Sequence, residues 1–394
     1  MSKFANHSGE SFLGIMVKLR DNNTEAGKSD KAERLASLDA TRGVFLLLFI
    51  SAGFGLKEML PDPRWRWITD QWSHREWAGC TLWDVLAPAM LLFVGIAMPF
   101  SYANRQAEGQ NWFRQFAHAL VRVGLLIAIG VYLDSYRAGR LVLDLRGELQ
   151  QVGLAYLLAF LVLPLGKVVQ GVTVAFLLVG QIAAYVIFAI PGGGDFWSKD
   201  NHVGLALDRW MHVAPHPEHL VTLNVIGATA IVLLGVLVAG LIRTGLTPGA
   251  KVAVMTIGSF FGIFFGWVLS GGNGWIEWSW FAVVPMIRAL MTWTFILSAV
   301  GWTLLVFTYF YLVMDGLLLR GWALPLGLVG RNALAVFVVA SLAREWAVRS
   351  ALLVLPTSPP LAATLRPLFV SLIVLAIFWL FCFLLYRRRM FFKA

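Results

Sequence analysis

The sequence is poor in charged residues and in cysteine. Only 14% of its 394 residues are charged, whereas a soluble globular domain carries about 25%. This shortage excludes a chain that mainly faces water. The two cysteines, Cys80 and Cys382, lie far apart, which argues against a disulfide framework and against a metal knuckle. Hydrophobic residues make up 58% of the chain instead, and its 17 Trp and 28 Phe suit the aromatic belts of a membrane protein.

Long apolar runs separated by polar loops account for this composition. About ten runs approach the length that crosses a bilayer, and they lack the alternation of barrel strands. The sequence therefore predicts an all-α fold, a polytopic transmembrane helical bundle of about ten spans. The runs cover residues 44–57, 82–102, 116–133, 149–165, 172–190, 221–242, 252–269, 289–313, 324–343 and 368–385.

The ends of the chain indicate its domains and its orientation. Residues 1–33 are polar, mixed in charge and without the apolar core of a signal peptide. We interpret them as a disordered cytoplasmic tail before one transmembrane domain, residues 34–394. An even number of spans puts both termini on one side, where more than half of the 32 Lys and Arg then fall. The positive-inside rule thus predicts cytoplasmic termini and a multi-pass protein of the cytoplasmic, or inner, membrane.

The positive charge points to a lipid bilayer rather than to nucleic acid. The formal net charge is +10, but the basic residues are scattered through the loops between apolar runs. Such a distribution is typical of loops that face the cytoplasm beside anionic headgroups. We therefore expect the bilayer as a partner and no nucleic acid.

One loop on the expected outer side concentrates polar and aromatic residues between the first two runs. It contains His74, and histidine readily takes and returns a proton near neutral pH. Asp84 follows at the start of the second run, where an ionisable group is costly and usually faces a cavity or a partner. This pattern predicts a general base, His74, whose tautomer is fixed by Asp84 or Glu76. An interfacial histidine bonded to lipid or water explains the pattern equally well.

Three other patterns have simpler interpretations. Ser37 or Asp39 could be the N-cap of the first helix, and Asp39 shares a helical face with Arg42. The three histidines between residues 212 and 219 lie among prolines, which favours a solvated loop over a metal site. We therefore expect no metal. The glycines at 192–194 lack the strand and helix of a phosphate loop and indicate a flexible turn.

Ordered motifs along nearly the whole chain resemble the heparan-α-glucosaminide N-acetyltransferase family and its bacterial relatives. The chain has Ser-Leu-Asp-x-x-Arg-Gly at 37–43, His-x-x-Trp-x-Gly-x-Thr-x-x-Asp-x-x-x-Pro at 74–88 and Phe-Val-Gly at 93–95. Similar segments follow at 149–150, 234–240 and 330–333, and at the basic C-terminus, 385–393. The order and spacing of these motifs carry the resemblance.

The resemblance implies acetyl transfer from cytosolic acetyl-CoA across the membrane to an amino sugar or glycan on the outer side. His74 occupies the position of the family's active histidine. Acyl transfer needs a base, a site for the carbonyl oxygen and an anion site for the coenzyme phosphates. We assign catalysis to His74 and Asp84, coenzyme binding to Arg42, Arg105, Arg122 and Asn332, and acceptor binding to Glu76, Trp77 and Gln150. Asn332 would bind the acyl carbonyl or cap a break in a helix.

The chain also departs from the family pattern, and other functions stay open. Residues 144–151 lack two arginines and a proline of the family, the lead into the eighth run retains only Arg288, and a family histidine is replaced by Ala340. These changes affect the substrate more than the fold. The alternatives are a non-enzymatic carrier or flippase for a polar solute, and a structural membrane subunit. A carrier often has paired broken helices in two halves, and we find no internal repeat. The sequence leaves a homo-oligomer open.

Overall fold

The structure, a computed structural model, consists of helices joined by short connections. It describes residues 35–188, 196–271, 284–355 and 360–390. The predicted tail and the turn at 192–194 lie outside these residues. The helices of eight residues or more are α1 (Ala36–Ser51), α2 (Leu82–Ala107), α3 (Trp112–Ala138), α4 (Glu148–Val162), α5 (Lys167–Ile187), α6 (Val203–Trp210), α7 (Asn224–Ile242), α8 (Pro248–Leu269), α9 (Trp293–Tyr311), α10 (Leu324–Arg331), α11 (Ala333–Val354) and α12 (Pro360–Arg387).

These helices confirm the predicted all-α polytopic bundle. In the described part of the chain, nine helices are long and apolar enough to cross a membrane, or ten when the bent pair α10–α11 counts as one span. Short loops join several successive spans, such as residues 108–111 between α2 and α3, and such pairs run in opposite directions. We call the face with the loop between α1 and α2 the His74 face. The face where α1 begins and α12 ends is the terminal face.

Four helices form the centre of the bundle. More than half of the apolar stretch is buried in α1, α2, α7 and α9, against 28% or less in α3, α5 and α8. The outer helices expose side chains such as Phe176 and Phe260, as expected where lipid replaces water. Close packing at the centre depends on glycine. A Cβ on Gly235 would lie 2.9 Å from the Cα of Gly95, so α2 and α7 can approach only because both residues lack side chains.

The beginning of α1 differs from the expectation. The helix begins at Ala36 with Leu35 at the N-cap, so the prediction of Ser37 or Asp39 as N-cap was wrong. The carboxylate of Asp315, distant in sequence, takes the place of an N-cap side chain. It accepts a hydrogen bond from the Ser37 backbone N–H at 3.3 Å. An acidic group there also complements the positive end of the helix dipole.

The ninth apolar run is broken in two. Helices α10 and α11 meet at an angle of 68°, and Asn332, fully buried, lies at the break. Helix α10 packs directly on α1, since a side chain on Gly43 would overlap the backbone of Leu326. The same contact brings Arg331 within 3.7 Å of the Asp39 carboxylate.

Candidate active site

The loop that contains His74 is held in place by a distant segment of the chain. The Gly79 N–H donates to the Met286 carbonyl at 2.8 Å, and Ala78 forms an isolated antiparallel bridge with Ile287. Within the loop, the Thr81 hydroxyl donates to the Ser73 carbonyl at 2.9 Å. The approach to α2 is therefore paired with the approach to α9, and these contacts fix the backbone beside His74.

Asp84 both stabilises the start of α2 and contacts His74. Thr81 is the N-cap of α2. Its N–H donates to one oxygen of Asp84 at 3.0 Å, and its hydroxyl oxygen accepts from the Asp84 backbone N–H at 3.3 Å. This reciprocal capping box satisfies backbone donors that the first turn of a helix leaves unpaired. The other oxygen of Asp84 lies 2.7 Å from Nδ1 of His74. The side chain of Asp84 has no solvent exposure, so its orientation is fixed.

The pairing leaves the second nitrogen of His74 available. A carboxylate accepts hydrogen bonds, so Nδ1 carries the proton and Nε2 carries a lone pair. No described residue forms a hydrogen bond with Nε2, and 37% of the His74 side chain is exposed. The ring of Trp83 stands edge-on to it, with centroids 6.4 Å apart. This arrangement suits a general base or a nucleophile.

Arg288 belongs to the same cluster, although the sequence did not predict it. Its Nε lies 3.2 Å from the Asp84 oxygen that binds His74, and its Nη1 lies 3.1 Å from Glu218. One arginine therefore bridges two carboxylates from separate parts of the chain. A single charge in the apolar stretch before a predicted span was the signal that could have identified it.

Cys80 is close to the site but is not suited to be its nucleophile. Burial and the negative charge of Asp84 raise the pKa of the Cys80 thiol to about 12. The thiolate is the reactive form of cysteine, and a thiol with this pKa stays protonated at neutral pH. Nucleophilic or base chemistry in this loop therefore falls to His74.

The three residues predicted to bind the acceptor occupy different environments. Glu76, 91% exposed, pairs with Lys199 at 3.2 Å. The indole N–H of Trp77 donates to the Trp197 carbonyl at 2.8 Å. Gln150 is buried, and its amide donates to Asp134 at 2.7 Å. Glu76 and Trp77 thus lie in the same loop as His74, whereas Gln150 links the first turn of α4 to α3. An acceptor-binding role for them stays a prediction.

The residues predicted to bind the coenzyme have separate neighbours. Arg42 donates to the Phe93 carbonyl at 2.6 Å. Arg122 lies 4.5 Å from the centre of the Tyr156 ring, and its Nε has no hydrogen-bond partner in the described part of the chain. Arg105 lies in the last turn of α2, at the terminal face, and Asn332 lies at the α10–α11 break. Their role in binding a coenzyme stays a prediction.

A cavity of about 230 Å³ opens among α2, α5 and α7 toward the terminal face. Its polar lining comes from Tyr102, Gln106, Gln170 and Arg243. The guanidinium of Arg243 also lies 5.9 Å from the centre of the Phe100 ring. None of the four predicted coenzyme residues lines this cavity. It is also smaller than the roughly 300–1,000 Å³ of typical small-molecule sites.

A buried ion-pair cluster attaches the long loop after α5 to the His74 face. Arg146, 3% exposed, lies 2.6 Å from Asp144 and 3.0 Å from Asp208, and it donates to the Ala214 carbonyl at 2.6 Å. Burial opposes ionisation of Asp144, but the side-chain and backbone hydrogen bonds from Arg146 and its positive charge together outweigh burial and lower the pKa of that carboxyl. The guanidinium of Arg146 is therefore held by contacts within the protein.

The histidines of this long loop pack against aromatic rings and backbone. His202 is the N-cap of α6 and accepts from the Leu205 N–H. Burial lowers the pKa of His202 to about 4, so the ring stays neutral and keeps its acceptor. His219 lies edge-on to Trp77, with centroids 6.0 Å apart. Among the described residues, no group of three or more potential ligands is arranged to hold a metal ion.

Comparison with known proteins identifies a distant relative but no matching family model. No family model matches the chain. It is 28% identical over 128 residues to the human heparan-alpha-glucosaminide N-acetyltransferase. The match covers 31% of this chain and 18% of the human protein, so the chain matches about a fifth of that relative's length. These figures indicate only a distant relationship to that N-acetyltransferase.

Proposed function

We propose that this protein is an integral membrane acyltransferase that moves an acetyl group from cytosolic acetyl-CoA to an amino sugar or glycan at the His74 face. The 2.7 Å contact between His74 and Asp84 is the observation that carries the proposal. It gives a partly exposed imidazole a fixed tautomer at the end of a transmembrane helix. The distant relative, an N-acetyltransferase by name, supports the same reaction class.

The chemistry follows from the orientation of His74. The acceptor nitrogen attacks the thioester carbonyl carbon, and Nε2 of His74 takes a proton from that nitrogen as the C–N bond forms. The C–S bond then breaks, and the imidazolium returns the proton to the leaving sulfur. Asp84 stabilises the imidazolium in between. In the other order, Nε2 attacks the thioester carbonyl carbon, and the C–S bond breaks with release of the coenzyme thiolate. The acceptor amine then attacks the acetyl-imidazole, the bond between the acetyl carbon and Nε2 breaks, and the amine proton passes to the thiolate.

Cations within the bundle are suited to bind the donor from the terminal face. Phosphates prefer guanidinium partners, and Arg122 is a cation well inside α3 whose Nε lacks a hydrogen-bond partner among the described residues. An ionisable group at such depth is costly unless it has a function. We therefore retain Arg42, Arg105 and Arg122 as the proposed coenzyme residues. Unchanged affinity for coenzyme A in Arg122→Ala, measured by calorimetry, would contradict this assignment.

The orientation in the membrane is part of the proposal. The excess of Lys and Arg on the terminal face favours a cytoplasmic location for it in the inner membrane. Glu108 and Arg140 are exposed loop residues on opposite faces. In a Cys80→Ser, Cys382→Ser background, Arg140→Cys should react with an impermeant maleimide in intact cells, and Glu108→Cys should not. The reverse labelling pattern would contradict the orientation.

A transfer assay across a bilayer tests the function itself. Protein is reconstituted in vesicles with acetyl-labelled acetyl-CoA on the terminal face and glucosamine on the His74 face. The proposal predicts labelled N-acetylglucosamine on the His74 face, together with free thiol on the other. The absence of both products, with protein confirmed in the vesicles, would contradict it.

One observation favours a carrier as a second candidate. The broken pair α10–α11, with buried Asn332 at the break, resembles the discontinuous helices of transporters. A carrier predicts that glucosamine crosses the vesicle membrane without thioester cleavage. The same vesicles distinguish the two functions, because unmodified sugar and acetylated sugar are measured separately.

A further inference from the structure

The cavity among α2, α5 and α7 is lined by a cation that the proposed transfer reaction does not use. Arg243, the residue that follows α7, forms part of the cavity wall. Its guanidinium lies over the ring of Phe100, 5.9 Å from the ring centre. Among the residues that the structure describes, this guanidinium forms no ion pair and no hydrogen bond. A positive charge at the cavity is therefore left without an anion.

Two lysines nearby show what the end of a helix alone requires. The ammonium of Lys167 donates to the Gly240 carbonyl at 3.1 Å, and that of Lys251 donates to the Ile242 carbonyl at 2.7 Å. These contacts satisfy carbonyls that the last turn of α7 leaves unpaired, and they place positive charge at the negative end of the helix dipole. The guanidinium of Arg243 makes no such contact, so capping of α7 does not explain its position.

The other polar side chains of the cavity include hydrogen-bond donors. Tyr102 supplies a hydroxyl and Gln106 an amide, and phosphate oxygens accept from both groups. The ring of Tyr102 packs edge-on against Phe160, with centroids 6.0 Å apart. The buried amide of Gln170 donates to the Leu163 carbonyl at 2.8 Å, which holds α5 against the end of α4. The cavity thus combines donors and a positive charge within fixed walls.

Positive charge exceeds negative charge around the cavity. The ends of α2 and α7 and the starts of α5 and α8 carry four cations, Arg105, Lys167, Arg243 and Lys251. The acidic residue of these segments is Glu108, which is exposed and accepts from the Gln110 amide at 3.4 Å. This excess of positive charge attracts an anion from outside the chain.

The place and the size of the cavity favour a lipid headgroup as that anion. The cavity opens toward the terminal face and is bounded by α5, whose apolar stretch is only 22% buried and therefore faces lipid. In other membrane proteins, basic pockets between transmembrane helices bind anionic headgroups. The volume of about 230 Å³ suits one headgroup, whereas coenzyme A carries an adenosine and several phosphates.

We propose that this cavity binds the headgroup of an anionic phospholipid and that Arg243 contacts its phosphate. The guanidinium forms a charge-assisted hydrogen bond with one phosphate oxygen, and Tyr102 and Gln106 donate to the others. A zwitterionic lipid has the same phosphate, but its own cation cancels the charge and is repelled by the lysines nearby. The site therefore selects phosphatidylglycerol over phosphatidylcholine, and this binding does not require acetyl transfer.

Native mass spectrometry of the purified full-length protein in detergent tests the site. Phosphatidylglycerol and phosphatidylcholine with the same acyl chains are titrated separately, and the wild type should bind phosphatidylglycerol more tightly. Arg243→Gln should weaken phosphatidylglycerol binding about tenfold, the effect of losing one charged hydrogen bond, and leave phosphatidylcholine unchanged. Arg114→Gln, which removes an exposed arginine from the first turn of α3 on the same face, should change neither affinity.

A variant that keeps every charge tests the cavity itself, and it serves equally if Arg243→Gln fails to fold. Ala103 lines the cavity, so Ala103→Leu fills part of it and should also weaken phosphatidylglycerol binding. Equal affinity of the wild type for the two lipids would overturn the proposal. Wild-type affinity for phosphatidylglycerol in either variant, with folding confirmed by thermal unfolding, would overturn it as well.

Competition distinguishes a lipid from a soluble phosphate compound. Coenzyme A and inorganic phosphate are added separately to the complex of the wild type with phosphatidylglycerol, at matched ionic strength. Neither should displace the lipid, because the acyl chains hold it against α5 and the cavity is small. Displacement by either compound would assign the cavity to a soluble ligand and would overturn the proposal of a lipid site.

Discussion

The guanidinium of Arg288 lies 3.2 Å from the same Asp84 oxygen that binds His74. The contact with Arg288 joins the start of α2 to the segment before α9, more than 200 residues away in the sequence. The positive charge of Arg288 offsets the cost of keeping the Asp84 carboxylate ionised in a buried position.

Removal of Arg288 should therefore affect the rate of transfer. We expect Arg288→Gln to lower kcat about tenfold, because Asp84 loses a charged partner that helps to orient it. Arg288→Lys should restore part of this loss. An unchanged kcat in Arg288→Gln would contradict a positioning role for Arg288.

The two roles of Asp84 can be separated with Thr81. Asp84→Asn should lower transfer about 10²–10⁴-fold, because an amide no longer fixes the tautomer of the general base. Thr81→Ala removes a cap hydroxyl and should cost about 0.5–2 kcal/mol of stability, with a much smaller loss of rate. Thermal unfolding and single-turnover transfer are measured for both variants. A rate loss as large in Thr81→Ala as in Asp84→Asn would show that only the cap matters.

Breaking the Arg146 cluster should destabilise the protein strongly. Arg146→Met leaves Asp208, which is fully buried, without its charged partner. Loss of one partner of a buried pair costs about 3–5 kcal/mol. The double variant Arg146→Met, Asp208→Leu should recover part of that loss, because no charge is then left unpaired at Asp208. Thermal unfolding in detergent measures both variants, and a double variant less stable than the single one would contradict this account.

Acid should weaken the loop that His202 anchors. Burial lowers the pKa of His202 from 6.5 to about 4, so the unfolded chain takes up this proton more readily than the folded protein. The contribution of His202 to the free energy of unfolding is therefore fully present above about pH 6.5 and is lost as the pH falls toward 4. This contribution is about 3 kcal/mol in all. The charged groups that act on His202 are Asp208, His219, Arg209 and Asp200.

A variant isolates this contribution of His202 from other acid effects. His202→Asn keeps a side-chain acceptor at the N-cap but does not titrate. Its unfolding temperature should fall less than that of the wild type between pH 6.5 and 4. Parallel pH dependence in the two proteins would show that His202 does not carry the effect.

The sequence predicted the parts of this structure that depend on local pattern. Hydropathy located the spans because each is a continuous apolar helix. The pair of His74 and Asp84 was predictable because both residues flank the start of one helix. A break at Asn332 was predicted only as one of two roles for that residue, because apolar residues continue on both sides of it. Its bend depends on contact with α1, where Gly43 allows α10 to approach.

The rest of the site depends on packing between distant segments. Arg288 reaches the cluster only because α9 packs against α2, and no local spacing encodes that arrangement. The buried cluster of Arg146 depends on packing in the same way. Asp144 is close to Arg146 in the sequence, but Asp208 is 62 residues away, and no local pattern predicts that contact.

The most direct test of the central claim is the transfer rate of His74→Ala in vesicles matched to the wild type. The variant should remain folded by thermal unfolding, bind coenzyme A with wild-type affinity and lose transfer about 10²–10⁴-fold, the usual contribution of a general base. Near-normal turnover in His74→Ala would contradict the catalytic role of His74, and unmodified glucosamine crossing those vesicles would then support the carrier.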